Sequence, residues 1–280
     1  MTSTSETPEG LNDFVPMEDG RTRLLVRRGW EDAAAVIANA EREGLPTVAG
    51  GREEHPVVEL PDGRRAVIRR YRRGGMVRHF NRDLYFGGNR AFDELRATEH
   101  ARAGGVRVPL VIAAMERPAR VAGYRARLAT VLVPDACDAA AFLAVAPDAG
   151  ERREVLREAG RQIGLMHEAG VAHPDVNLRN LLVAEEGGAR TVYLLDFDRA
   201  RVLGEPLSRT RRERDLRRLA RSARKLGAPI DPDDWAALRD GYGDGWPAGV
   251  DLSGEEKKGN RKGDAGDADR PDIGGEREED

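Results

Sequence analysis

The fold of this 280-residue chain is most clearly indicated by residues His173–Asp198, which begin H-P-D-V-N-L-R-N-L-L-V and end V-Y-L-L-D-F-D. Asp175, Asn180 and Asp196 stand at fixed offsets in this stretch, and apolar runs flank them. With His173 and Phe197 they make five identities at fixed spacing, which arise by chance far less often than a single acidic residue. The pattern predicts a polar functional loop between short buried strands.

These three residues match what phosphoryl transfer requires. A kinase-type site needs one carboxylate to accept the proton of the attacking hydroxyl. It also needs an amide oxygen and a second carboxylate for the magnesium ions that bridge the nucleotide phosphates. Asp175 is the candidate catalytic base, and Asn180 and Asp196 are the candidate metal ligands. The sequence therefore predicts a phosphotransferase that uses ATP and Mg²⁺.

The preceding region predicts phosphate-binding strands. Apolar and polar residues alternate like two strands around the turn at 61–63. Arg69 then takes the place of the strand lysine that meets the nucleotide phosphates, although a solvated edge position is an alternative. Gly50 and Gly51 take the place of the glycine-rich loop, and an ordinary strand-end turn fits them equally well.

A helix is predicted over residues 91–103, because the pair Gly104-Gly105 is a strong C-terminal signal. Glu94 on this helix is the candidate partner of Arg69. We prefer it to Glu99 from its distance to the glycine stop, and a plain surface acid is the alternative.

The strand that ends at Pro134 is expected to lead into a hinge between two lobes. Backbone groups around Val131 to Val133 would then face the adenine ring. Further helices are predicted in the second half, over residues 138–147, 151–169, 215–226 and 231–242.

The predicted fold class is α+β, a protein-kinase-like bilobal fold. Its N-lobe has an antiparallel sheet with one main helix, and its C-lobe is mostly helical. We assign residues 1–20 to a disordered start, 21–133 to the N-lobe, 134–250 to the C-lobe with the catalytic loop, and 251–280 to a disordered acidic tail. A short helix is expected over 30–43.

Charge is unevenly distributed along the chain. The net charge is −3, but residues 251–280 alone carry −5, so the rest is slightly basic. Residues 64–82 contain eight arginines and no acid, and residues 201–225 contain ten basic residues and three acids. Such segments could bind phosphate or carboxylate groups, face anionic lipid, or be solvated surface. Nucleic acid is not an expected partner, because the second segment needs its apolar stripe for the core.

Cys137 is the single cysteine, so no intramolecular disulfide can form. The chain opens without a charged-then-apolar leader, which predicts a cytoplasmic location. The uncharged apolar runs are far shorter than the ~20 residues needed to cross a bilayer. Any membrane contact is therefore expected to be peripheral, and the oligomeric state is left open.

Several motifs together resemble the lipopolysaccharide kinase family, in particular its 3-deoxy-D-manno-octulosonic acid kinases, over residues 45–230: A-V-I-R-R-Y-R-R-G-G, V-R-V-P, Y-R-A-R-L-A-T, H-P-D-V-N-L-R-N-L-L-V, Y-L-L-D-F-D-R-A-R and D-L-R-R-L-A-R-S-A-R-K-L. The resemblance implies ATP-dependent phosphorylation of this sugar acid on the lipid A precursor, at the cytoplasmic face of the inner membrane. It implies that Asp175 is the catalytic base and that Asn180 and Asp196 hold the metal. It also implies that Arg69 and Glu94 form the pair that positions the phosphates.

The sequence departs from protein kinases in ways that disfavour a protein acceptor. Arg69 replaces lysine, Pro174 replaces the arginine that reads activation-loop phosphorylation, Asp198 replaces the glycine of D-F-G, and no A-P-E follows. A lipid-linked anionic sugar would suit the basic segments. An atypical protein kinase, another small-molecule kinase of aminoglycoside type, and a nucleotide-binding pseudokinase are the alternatives.

Overall fold

The computed structural model describes residues 2–3, 10–40, 45–50, 53–71, 90–119, 123–145 and 148–253. The strands within these ranges are β1 (Thr2–Ser3), β2 (Phe14–Asp19), β3 (Thr22–Arg27), β4 (Thr47–Gly50), β5 (Glu53–Glu59), β6 (Arg65–Arg70), β7 (Val111–Pro118), β8 (Tyr124–Val131), β9 (Cys137–Asp138), β10 (Val171–Ala172), β11 (Leu181–Glu186), β12 (Ala189–Leu194) and β13 (Arg201–Val202). The α-helices are α1 (Ala34–Ala38), α2 (Arg90–Ala103), α3 (Ala139–Ala144), α4 (Ala149–Glu168), α5 (Arg209–Leu226) and α6 (Pro232–Tyr242).

The N-lobe is built on one antiparallel sheet. Within the described ranges its strand order is β1-β2-β3-β7-β8-β6-β5-β4. Buried apolar side chains cover both faces of this sheet and form two separate clusters. The predicted hairpin is present, with Glu59 opposite Arg65 across its turn.

The expectation of a disordered start is wrong for residues 14–19. Phe14–Asp19 forms β2 and pairs with β3 across a tight turn in which Gly20 has a φ of 59°. Phe14 is fully buried, and β3 also pairs with β7, far along the chain. The polar composition of residues 1–20 does not indicate this strand, which is held in a hairpin with β3, and β7 pairs with the other side of β3. The N-lobe therefore begins before residue 21.

Two other expectations need smaller corrections. The helix expected over 30–43 is a 3₁₀ turn at Glu31–Ala33 followed by the five-residue α1, and residues 41–44 lie outside the described ranges. Residues 251–253 belong to the ordered structure, since Leu252 is buried. Residues 254–280 lie outside the described ranges.

The C-lobe contains α3 to α6, a three-stranded sheet in the order β12-β11-β9, and the short pair β10-β13. One large apolar cluster fills it. The predicted bilobal α+β architecture is therefore present. No helix in the described part of the chain is long and apolar enough to cross a bilayer.

Helix α2 joins the two lobes. Phe92 and Leu95 pack against the sheet, whereas Ala97 and Ala101 belong to the C-lobe cluster. Its last turn is tied to the end of α4, since the His100 ring nitrogen Nε2 lies 2.9 Å from the Ala169 carbonyl oxygen. The placement of α2 is thus set by both lobes.

Helices α4 and α6 approach each other closely at glycines. A Cβ atom added at Gly160 would lie 1.9 Å from the Leu238 carbonyl oxygen, and one at Gly241 would lie 1.8 Å from the Arg157 carbonyl oxygen. Both contacts are to backbone, which cannot rotate away. The two helices can therefore pack at this distance only without side chains at these positions.

We expect Gly160→Ala to destabilise the protein by about 2 kcal/mol or more, because the new methyl group overlaps backbone atoms and forces the helices apart. Gly150→Ala on the same helix is the matched control, since its Cβ would meet only the Asp148 carboxylate, at 3.0 Å. Urea unfolding checks both variants. Equal stability of the two would contradict this close helix packing.

The C-terminal end of α4 buries His167 against the neighbouring helices. Its Nδ1 lies 2.7 Å from the Tyr242 hydroxyl, and its Nε2 lies 3.5 Å from the carboxylate of the buried Asp215. Burial lowers the pKa of His167 below its ordinary value of 6.5, although Asp215 opposes the shift. His167 therefore binds a proton less tightly in the folded protein than in the unfolded chain.

The unfolding free energy should accordingly fall as the pH drops below 6.5, the ordinary His167 value, by up to ~1.4 kcal/mol per pH unit for this group. We expect His167→Phe to be less stable at neutral pH but to lose less stability on acidification. Urea unfolding from about pH 7.5 to 5.5 measures the difference between the two slopes. His100→Gln, which removes an exposed histidine, is the control variant. An unchanged slope in His167→Phe would disprove that burial of His167 causes this pH dependence.

Candidate active site

A cleft of about 300 Å³ lies between the two lobes. The sheet contributes Val48, Val67 and Arg69 to its lining, and the C-lobe contributes Asn180, Leu182 and Asp196, among others. Apolar walls with a few convergent polar groups are typical of a small-molecule site.

Arg69 joins two carboxylates at the polar end of this cleft. Its guanidinium donates one hydrogen bond to Glu94 and another to Asp196. Glu94 is almost completely buried, and the Tyr71 hydroxyl donates to its second oxygen. Three elements thus meet here, namely β6, α2 and the segment after β12. The solvated-edge alternative for Arg69 and the surface-acid alternative for Glu94 are both wrong.

Glu99, the competing candidate, lies elsewhere. It pairs with Arg27 from β3 and with Arg102 on its own helix. The choice of Glu94 as the partner of Arg69 is therefore confirmed as a contact.

The electrostatics of this cluster follow from burial. Burial raises the pKa of the Glu94 carboxyl to about 7, although Arg69 pulls it down. Partial burial also pushes the pKa of Asp196 up, but the charge and hydrogen bond of Arg69 outweigh it, and the net value lies below the ordinary 3.8. Asp196 is therefore ionised and suited to a cation.

Asp196 adopts a left-handed backbone conformation, with a φ of 65°. A non-glycine residue in this region costs about 1–3 kcal/mol and persists only where its surroundings hold it. His173 helps to hold this segment, because its Nε2 lies 3.0 Å from the Leu195 carbonyl oxygen and its ring stacks edge-on against Phe197. Such strain is frequent at functional sites.

The catalytic-loop candidate Asp175 is held through its backbone. Its N–H donates to Nδ1 of His173 at 3.1 Å, and its carbonyl accepts from the side-chain amides of Asn177 and Asn180 at 3.1 and 2.8 Å. The Asp175 side chain is exposed. Among the described residues its carboxylate has no hydrogen-bond or ion-pair partner, so an acceptor could reach it.

His173 needs to be neutral for this arrangement. Nδ1 accepts from Asp175, so Nε2 carries the proton that is donated to the Leu195 carbonyl. Burial lowers the pKa of His173 below its ordinary value of 6.5, which favours this form. The histidine thus links the catalytic loop to the segment that carries Asp196.

The donor set fits magnesium. Asn180 uses its amide nitrogen for the Asp175 carbonyl, which leaves its oxygen for a ligand. Asp196 supplies an ionised carboxylate. Within the described ranges no group of three or more His, Cys, Asp or Glu side chains could hold a metal alone. One or two protein oxygens completed by phosphates are the usual Mg²⁺ arrangement.

The hinge candidates line the cleft. Val131 and Val133 both contribute to its wall. The N–H groups of Val131 and Leu132 are occupied by the carbonyls of Leu110 and Arg65, at 2.9 and 2.8 Å. Within the described part of the chain the Val133 N–H makes no hydrogen bond. It is therefore the backbone donor available to a ligand at this edge.

The glycine candidates are only partly described. Gly50 is the last residue of β4 and stands opposite Glu53 of β5, whereas Gly51 lies outside the described ranges. Val48 and His55 from the same strand pair line the cleft. The pair β4-β5 thus covers the cleft, and phosphate binding by the glycines stays a prediction.

The structure describes the basic segment 201–225 but only part of the segment 64–82. Most of 64–82 lies outside the described ranges. In 201–225, Arg212 is buried and bonded to Glu168, and Arg218 pairs with Asp215, so these two arginines are structural. Other cations of this segment are exposed, among them Arg201, Arg209, Arg211, Arg214, Arg221, Arg224 and Lys225.

Some residues of the site escaped prediction. Tyr71 and His173 bond directly to the candidate residues, and Asp198 pairs with Arg90. The apolar strand pattern around Tyr71 and the position of His173 within the motif were available signals. Nothing local indicates Arg90.

Comparisons with known proteins agree with this geometry. The profile of the Lipopolysaccharide kinase (Kdo/WaaP) family matches residues 30–242. The chain is 32% identical to a 3-deoxy-D-manno-octulosonic acid kinase of Actinobacillus succinogenes, over 81% of this chain and 92% of that protein. It is 34% identical to proteins of the same name from Xanthomonas campestris, covering 76% and 85%, and Xanthomonas oryzae, covering 84% and 96%.

A solved structure described as WaaP in complex with acyl carrier protein shares the fold. The TM-score is 0.55 at 19% sequence identity, over 79% of this chain and 88% of that one. This supports the protein-kinase-like bilobal architecture. Taken with the profile match and the named relatives, it shows that the chain is a phosphotransferase that belongs to the lipopolysaccharide kinase (Kdo/WaaP) family.

Proposed function

We propose that this protein is an ATP-dependent kinase that phosphorylates a hydroxyl of 3-deoxy-D-manno-octulosonic acid linked to a lipid A precursor, in lipopolysaccharide core biosynthesis. The names of relatives that match most of both chains support the acceptor. The observation that carries the reaction is the meeting of Arg69, Glu94 and Asp196 in the interlobe cleft.

Asp175 acts as the base in this proposal. Its exposed carboxylate orients the sugar hydroxyl and accepts the proton, while three backbone hydrogen bonds keep the loop in place. Kinase catalysis depends mainly on positioning and charge stabilisation, so the hydrogen bonds that hold this loop are important for the rate.

The nucleotide site is assigned to the cleft. Asn180 and Asp196 would hold Mg²⁺, and Arg69, oriented by Glu94, would meet the phosphates. The bound cation would supply positive charge that offsets the negative charge of the transferred phosphoryl group. Val131 and Val133 would face the adenine, and Gly50 with Gly51 would lie over the phosphates.

We further propose a peripheral contact with the anionic cytoplasmic face of the inner membrane. The acceptor is lipid-linked and carries a carboxylate and phosphates, so the enzyme must work at a negatively charged surface. Exposed cations of 201–225, such as Arg211 and Arg214, support this placement.

We expect Asp175→Asn to lower turnover by about 10²- to 10⁴-fold while Mg²⁺-nucleotide binding is kept, because only the proton acceptor is lost. Asp196→Asn should instead weaken Mg²⁺-nucleotide binding itself. Steady-state kinetics and calorimetric titration separate the two effects. Asp240→Asn, an exposed aspartate on α6, is the control that should change neither. Full phosphoryl transfer by Asp175→Asn would refute its role as the base.

The acceptor is tested by transfer of labelled phosphate from ATP, with and without magnesium. The panel contains a lipid A precursor with one sugar acid, an aminoglycoside and a basic protein. We expect magnesium-dependent labelling of the lipid precursor alone, and faster labelling in anionic than in neutral vesicles. Labelling of another panel member in preference to the lipid would overturn the proposed acceptor.

A further inference from the structure

Asp198 has a partner that the reaction mechanism does not use. Its carboxylate receives two hydrogen bonds from the guanidinium of Arg90, one of them from Nε at 2.6 Å. The side chains are only 19% and 18% exposed. Bidentate, charge-assisted pairs of this kind are geometrically more restrictive than ordinary surface ion pairs.

The Arg90–Asp198 pair is continuous with the nucleotide-site cluster. The guanidinium carbons of Arg90 and Arg69 lie 5.2 and 5.1 Å from the centre of the Tyr71 ring. The hydroxyl of that ring donates to Glu94. Movement of Arg90 would therefore disturb the side chain that supports Glu94.

The Arg90–Asp198 pair joins the start of α2 to the segment after β12. Arg90 is the first residue of α2, and Glu94 follows one turn later on the same face. The Arg90 backbone N–H also donates to the Tyr124 hydroxyl at 3.3 Å. The start of α2 is thus tied both to the sheet and to the segment that contains Asp196.

The other element carries backbone strain. Asp196 and Arg199 have φ angles of 65° and 61°, one on each side of Asp198. Residues in this conformation persist only when neighbouring contacts hold them. Arg69 holds Asp196 directly, and Arg90 holds Asp198 two residues later.

We propose that Arg90 and Asp198 are positioning residues of the kinase site. Their ion pair fixes the start of α2 relative to the segment that contains Asp196. Glu94 and Asp196 are therefore in place before the Mg²⁺-nucleotide binds. This inference rests on the proposed nucleotide site but not on the identity of the acceptor.

The test is a double-mutant cycle with Arg90→Gln, Asp198→Asn and the double variant. Calorimetric titration with magnesium and a non-hydrolysable ATP analogue measures affinity. We expect each single variant to bind about 10-fold more weakly, and the double variant to bind about as weakly as either single one. Arg96→Gln is the matched control, because it removes an exposed ion pair from the same helix.

Two further readouts separate positioning from simple stability. Amide hydrogen exchange without nucleotide should be faster in the first turns of α2 in both single variants, but not in Arg96→Gln. In the kinase assay, the KM for ATP should rise and kcat should fall, while the KM for the acceptor stays unchanged.

Several results would overturn the proposal. A roughly 100-fold loss in the double variant would mean that the residues act independently. A lower melting temperature with unchanged nucleotide affinity would mean a structural role only. Loss of magnesium dependence in Asp198→Asn alone would make Asp198 a metal ligand instead.

Failure of the proposed function gives a different pattern. Wild-type protein that binds the Mg²⁺-nucleotide but does not label the sugar acid would refute the acceptor and leave the cycle interpretable. If the wild type binds no nucleotide, the hydrogen-exchange experiment still tests the positioning role. Unchanged exchange in α2 of the Arg90→Gln and Asp198→Asn variants would then refute the proposal.

Discussion

A guanidinium held between two carboxylates is the contact on which the active-site region depends. Arg69 comes from the sheet, Glu94 from α2 and Asp196 from the segment after β12. Glu94 is almost fully buried, so loss of Arg69 would leave an uncompensated buried charge, which is very costly. The same contact joins the lobes and places charged side chains at the cleft, where a charged ligand could bind.

The chemistry of arginine explains why this position can serve both lobes. A guanidinium has several donors in a rigid plane, so it can bond two carboxylates at once, whereas a lysine ammonium is a compact point charge. Arg90 and Asp198 use the same property one helical turn away from Glu94. Helix α2 is placed by these pairs at its start and by packing on both lobes along its length.

The candidate catalytic loop is held instead by neutral groups. His173 is buried and uncharged, and it connects the Asp175 backbone to the Leu195 carbonyl. Asn180 directs one end of its amide to the loop and leaves the other for a ligand. The loop is thus rigid in its backbone, while the Asp175 carboxylate remains exposed. This division suits a reaction in which positioning supplies most of the rate.

The local sequence was sufficient for the long helices and for the individual candidates, because periodicity, glycine stops and motif spacing act over a few residues. It predicted α2, its end at Gly104 and the loop at Asp175. It did not predict β2, whose hairpin partner β3 is in turn paired with β7 far along the chain, or the contact between Arg90 and Asp198, which are 108 residues apart. The sequence by itself determined the fold class and which residues could do chemistry. Only the tertiary structure showed that Arg69 also meets Asp196 and that Arg90 meets Asp198, because these ion pairs join elements that are far apart along the chain.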